Sequence, residues 1–130
     1  GTGGTISGTA KYLKEQNPEI KIIGVEPFDS PLITKGVAGP HGIQGIGANF
    51  IPKVLDTGIY EEILPVTTEA AYATGRLLGK TERILCGISS GAALYAAMEV
   101  AKRPENAGKT IVAFLPDSGD RYMSTPGYFA

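Results

Sequence analysis

Four short apolar stretches, set apart by segments of helical character, constrain this chain more than any other feature. Lys21 to Glu26, Glu62 to Val66, Arg83 to Cys86 and Thr110 to Leu115 each read as a strand bounded by turn residues. Ser7 to Gln16 ahead of the first, and Thr67 or Thr68 to about Gly79 and Gly91 to Lys102 between the later ones, read as helices. The first carries Ile6, Ala10 and Leu13 on one face and ends before Asn17-Pro18, because proline disfavours helical geometry in the residue before it. The next should turn Leu77 and Leu78 inward, and the small residues of the last (Ala92, Ala93, Ala96, Ala97) should let it lie close to a sheet. Strands separated by helices of this length require right-handed crossovers. The expected fold is therefore α/β: three layers, a mostly parallel sheet with flanking helices. A Gly- and Pro-rich loop from Phe28 to about Pro52 has the length of loops that are either functional or disordered.

Composition narrows the function. With 12 basic against 13 acidic residues in 130, the chain has no charge footprint for nucleic acid or an anionic membrane. No apolar run approaches the roughly 20 residues of a membrane span. One cysteine excludes an internal disulfide and fits a reducing compartment. Cys86 itself ends an apolar strand and reads as buried, and His41 has no partner at metal-ligand spacing, so no metal is expected. The 18 glycines are neither periodic nor of low complexity, which points to tight functional turns.

The most suggestive of those turns comes first. Gly1-Thr2-Gly3-Gly4-Thr5-Ile6-Ser7-Gly8 runs straight into helical sequence. Glycine permits close backbone approach, amides at a helix start are unpaired, and threonine and serine add hydroxyl donors. Such a loop can cradle a phosphate; a ligand-free helix entry is the alternative. A Walker A loop is excluded because no lysine occurs before Lys11. A dinucleotide fingerprint is excluded because Ile6 stands where its third glycine belongs. Open α/β sheets bind ligands beyond the carboxyl ends of their strands. His41 to Pro52, Gly87 to Ala93 and Pro116 to Tyr122 are placed to supply turns there.

Gly1-Thr2-Gly3-Gly4-Thr5, the His41 to Pro52 run, Gly87-Ile88-Ser89-Ser90-Gly91 and the Pro116 to Thr125 tail together resemble the cysteine synthases in order and spacing. That family, the O-acetylserine sulfhydrylases, belongs to the fold type II pyridoxal-phosphate enzymes, and the resemblance covers essentially the whole chain. It implies that Gly1, Thr2, Gly3, Gly4 and Thr5 bind the cofactor's 5′-phosphate and that Ser89 hydrogen-bonds its pyridine nitrogen. It further implies that the Gly45-Ile46-Gly47 turn lies against cofactor and substrate, with Gly45 and Gly47 as substrate contacts. A plain helix cap is the other reading of Ser89 and Ser90. Asp117, Asp120 and Arg121 read as ion pairs that pin the last turn, a catalytic role being the alternative.

The family's Schiff-base lysine and its substrate-carboxylate loop are expected ahead of Gly1. The eight lysines present (Lys11, Lys14, Lys21, Lys35, Lys53, Lys80, Lys102, Lys109) lack that motif and read as solvated surface. Residues 1–130 are thus expected to be the carboxyl-terminal part of the large domain, inactive alone, with a bare apolar face. For the whole enzyme the resemblance implies β-replacement forming cysteine from O-acetylserine and sulfide. It also implies a cytoplasmic homodimer, with serine acetyltransferase as a partner. The alternatives are a cystathionine β-synthase or O-phosphoserine-using relative, more remotely a lyase or racemase of the same fold, and a non-catalytic phosphate- or protein-binding module.

Overall fold

The computed structural model describes residues 1–129, which divide into two units. The first comprises Gly1–His41 and Ile46–Pro65. It opens with α1 (Gly4–Gln16), capped by Gly3 in a left-handed conformation (φ 84°). The helix thus begins earlier than the expected Ser7, and Gly4 and Thr5 belong to its first turn rather than to a loop before it. Ala10 is its buried residue, and Asn17, forced out of helical geometry by Pro18, closes it by donating to the Leu13 carbonyl. Strands β1 (Ile23–Pro27) and β2 (Glu62–Val66) pair in a two-stranded sheet. Glu61, just before β2, ties these pieces together: its carboxylate pairs with Lys14 of α1 and accepts from the Ile22 amide. Burial pushes the Glu61 carboxyl up, but Lys14 and the Ile22 amide more than offset this and hold it below its ordinary value.

The long loop between the strands contains one short helix, α2 (Leu32–Lys35). Glu26 of β1, buried, accepts from the Ile33 amide (2.8 Å), the Thr34 amide (3.1 Å) and the Thr34 hydroxyl (2.5 Å). A single strand carboxylate therefore satisfies the amides at the start of α2, at the favourable end of its dipole.

The second unit comprises Gly42–Gly45 and Val66–Ala130. Its centre is α3 (Thr68–Glu82) packed on α4 (Ile88–Ala101). Thr67 caps α3, its hydroxyl accepting from the Ala70 amide at 3.1 Å. The buried stripe of α3 is Ala71, Thr74 and Gly75, which leaves Leu77 off the stripe and 45% exposed, against expectation. The small residues of α4 meet α3 rather than a sheet. A Cβ on Gly91 would lie 2.3 Å from the Ala71 carbonyl oxygen, so only glycine allows this approach.

The expected third and fourth strands are corrected. Cys86 makes one isolated antiparallel bridge, to Ser118, and Thr110 to Leu115 forms no described bridge. A strand exists through its ladder, and apolar patterning alone does not create a neighbour to pair with. Val112 stands 86% exposed and Phe114 60%, with Ile84, Leu85 and Ile111 also exposed in this unit. Mixed helix and sheet nonetheless place the molecule in the α/β class. Among the described residues, no helix is long and apolar enough to cross a membrane.

Candidate functional site

The first unit contains the glycine loop. Gly3 has no room for a side chain, since a Cβ there would lie 2.6 Å from the Leu55 Cβ and 2.8 Å from its Cα. The Thr2 hydroxyl accepts from the Gly4 amide at 3.2 Å, and the Ser7 hydroxyl accepts from the Asp56 amide at 2.8 Å. Thr5 and Ile6 occupy the first turn, where no intrahelical carbonyl precedes their amides. Gly1, Gly3 and Gly47 border one cavity of about 90 Å³, with Ile6, Ile33 and Leu55 among its walls. It is several-fold smaller than the roughly 300 Å³ at which small-molecule pockets begin. Its walls are mostly apolar, with Glu26, Ser30 and Asn49 also among them.

Gly47 adopts φ 66° and its carbonyl contacts the His41 ring at 2.8 Å. A Cβ on Gly47 would fall 2.5 Å from His41 Nε2 and 2.6 Å from Pro27 Cγ. His41 thus pins the turn, and no group of three or more metal-ligating side chains occurs among the described residues.

The second unit brings Gly45 and Ser89 together. Gly45 has φ 101°, and a Cβ on it would come within 3.4 Å of Ser89 Oγ. Ser89 is 7% exposed and lies in the first turn of α4, whose cap is Gly87 with no side-chain bond, so neither serine is the cap. The two serines differ in their commitments. Ser90 donates to the Asp117 carbonyl oxygen (3.1 Å) and approaches Asp117 Oδ1 (3.3 Å). The Ser89 hydroxyl has no such bond among the described residues.

Asp117 makes hydrogen bonds in place of the expected ion pair. Its carboxylate accepts from Ser90 and from the Tyr122 hydroxyl (2.5 Å), not from Arg121. That bond raises the Tyr122 phenol to about 12, with burial assisting. Tyr128, which sequence reasoning missed, is fully buried and donates to the Cys86 (2.7 Å) and Gly87 (3.0 Å) carbonyl oxygens. Its one advance signal is Gly75, a glycine inside a helix, where such a residue marks a close approach. A Cβ on Gly75 would lie 2.2 Å from the Tyr128 hydroxyl. Burial pushes the Cys86 thiol up, which makes it a poor nucleophile. Seven of the lysines are exposed, and the half-buried Lys14 is paired with Glu61.

The first unit thus carries a glycine loop at a helix start, and the second a serine in the first turn of α4 whose hydroxyl makes no bond to the described residues. The family profile "Pyridoxal-phosphate dependent enzyme" matches residues 1–117. A cysteine synthase of Staphylococcus aureus is 51% identical over 128 residues, 98% of this chain and 41% of that protein, so the chain spans about two fifths of its relative's length. The solved cysteine synthase (OASS) of Entamoeba histolytica superposes with a TM-score of 0.94 at 49% identity, covering 96% of this chain and 37% of that one. The O-acetylserine dependent cystathionine beta-synthase of Helicobacter pylori superposes with a TM-score of 0.88 at 42% identity, covering 100% and 42%. The chain belongs to the pyridoxal-phosphate dependent enzyme family.

Proposed function

We propose that this chain is the cofactor-binding, carboxyl-terminal portion of a cysteine synthase, which displaces acetate from the β-carbon of O-acetylserine and puts sulfide in its place. The observation that carries this reading is Ser89, buried and uncommitted beside Gly45 while its neighbour Ser90 is fully engaged. When bound, pyridoxal phosphate supplies an electron sink for bond breaking at the substrate's β-carbon. Gly1, Thr2, Gly3, Gly4 and Thr5 offer its phosphate backbone amides, threonine hydroxyls and the positive end of α1. Ser89 offers the ring nitrogen a neutral hydroxyl. A carboxylate there would favour ring protonation; a hydroxyl leaves the ring less electron-withdrawing, which suits replacement over a long-lived carbanion. Gly45 and Gly47, both at positive φ, are the turn residues offered to substrate.

The likeness to the Helicobacter pylori protein supports a second reading, a cystathionine β-synthase using the same acetylated donor. A cytoplasmic homodimer, with serine acetyltransferase as partner, completes the proposal. The free Cys86 and the need to keep sulfide reduced support that compartment.

Titration of the intact protein with pyridoxal phosphate, followed by absorbance, tests the binding reading. Saturable binding at one site per chain, weakened at least tenfold by Gly3→Val, is expected. Absence of saturable binding, or binding indifferent to Gly3→Val, would remove the phosphate loop.

A further inference from the structure

The carboxyl-terminal tail of the second unit does more than cover a core. Tyr128 enters a slot that exists only because Gly75 has no side chain. Its ring lies 5.2 Å from Tyr72, 4.3 Å from Phe129 and edge-on to Tyr122 at 6.3 Å. Arg76 of α3 holds the tail backbone, donating to the carbonyls of Gly127 (2.6 Å) and Tyr128 (3.2 Å). The phenol is thereby aimed at two carbonyls, Cys86 and Gly87, that immediately precede α4. The Gly87 carbonyl is also the first acceptor of α4, taking the Gly91 amide at 3.1 Å.

The turn carrying Ser89 is braced on both sides. Asp117 holds the Gly87 amide through its carbonyl (3.1 Å) and the Ser90 hydroxyl through carbonyl and carboxylate. Tyr128 holds the carbonyls behind. Among these groups only the Ser89 hydroxyl is left over for a ligand. We propose that Tyr128 is a positioning residue: its hydroxyl fixes the Cys86–Gly87 carbonyls and so sets where Ser89 presents its hydroxyl to the cofactor ring. This rests on the functional reading above.

Tyr128→Phe keeps the ring and removes the bonds. In the intact apoprotein, amide exchange at Ile88 to Gly91 should quicken about tenfold, with the β1 amides unchanged, as for local rather than global opening. Affinity for pyridoxal phosphate should fall about three- to tenfold, the scale of a net hydrogen bond. On a Ser89→Ala background the same substitution should weaken binding no further, because the two act through one contact. A merely structural Tyr128 would instead weaken binding by the same factor in both backgrounds, which overturns the proposal. Unchanged exchange, or faster exchange with unchanged affinity, also overturns it. Should Tyr128→Phe fail to fold, Arg76→Gln, which frees the tail from its other end, is read by the same criteria. A wild-type protein that binds no pyridoxal phosphate overturns the functional reading and this inference together. Wild-type binding matched by Tyr128→Phe overturns this inference alone.

Discussion

At Gly75 and Gly87 single hydrogens decide whether the second unit closes. A Cβ at Gly75 meets the Tyr128 hydroxyl at 2.2 Å, and one at Gly87 meets Asp117 Oδ1 at 1.9 Å. Gly75→Ala should cost about 2 kcal/mol of stability, the scale of overpacking a tight core, read by urea unfolding. The phenols give a pH signature at the same scale. Tyr122 is raised from 10.0 to about 12, chiefly by its bond to Asp117, and burial raises Tyr128 further. A raised folded-state value means the contribution of these bonds is complete below pH 10 and is lost as pH climbs through 12. Stability should therefore fall over that window, and Tyr122→Phe should flatten the fall; an equally steep fall in the variant would remove Tyr122 as its source. Which of two adjacent serines faces a ligand was not legible from Ser89-Ser90 alone. What distinguishes the two is Asp117, 27 positions from Ser90, which engages Ser90 and leaves Ser89.

Among the elements, those resting on local chemistry were legible in advance. The Thr67 cap, the end of α1 at Asn17-Pro18 and the bounds of β2 (Glu62–Val66) follow from neighbouring residues. Thr110 to Leu115 was not legible, because strand identity depends on a partner that its own sequence does not name. The face of α4 was misjudged for a related reason: small residues reveal that something approaches closely, not whether helix or sheet. α2 was missed because four residues without periodicity depend on Glu26, a carboxylate from β1. Glu26→Ala should melt α2 and destabilise the chain by about 2 kcal/mol, the cost of stranding buried donors. Retention of α2 amide protection in that variant would show the cap to be dispensable. The Glu61–Lys14 pair stands half in solvent and contributes only about 0.5 kcal/mol. Because its carboxyl is held below the ordinary value, that contribution is present above the unfolded-state pKa and lost as pH falls through the folded one.

Over the whole molecule, the outstanding surface feature is apolar. Val112 and Phe114 stand out from a segment with strand-forming sequence and no described ladder, joined in the same unit by Ile84 and Leu85. Unpaired edges and bare patches drive association. Residues 1–130 produced alone should therefore sediment as species heavier than 13.6 kDa, with Val112→Lys plus Phe114→Lys shifting them toward the monomer. Monomeric behaviour of the unaltered chain would show that this face is not adhesive. The same chain carries a glycine loop at a helix start and, in its second unit, a turn before Ser89 held by Tyr128 and Asp117, the features on which the proposed cofactor binding rests. The most direct test of that account is cysteine formation by the intact protein from O-acetylserine and sulfide. The account predicts turnover that requires pyridoxal phosphate and falls at least tenfold in Ser89→Ala, whereas no cysteine from the cofactor-saturated protein, or turnover indifferent to the cofactor, would contradict it.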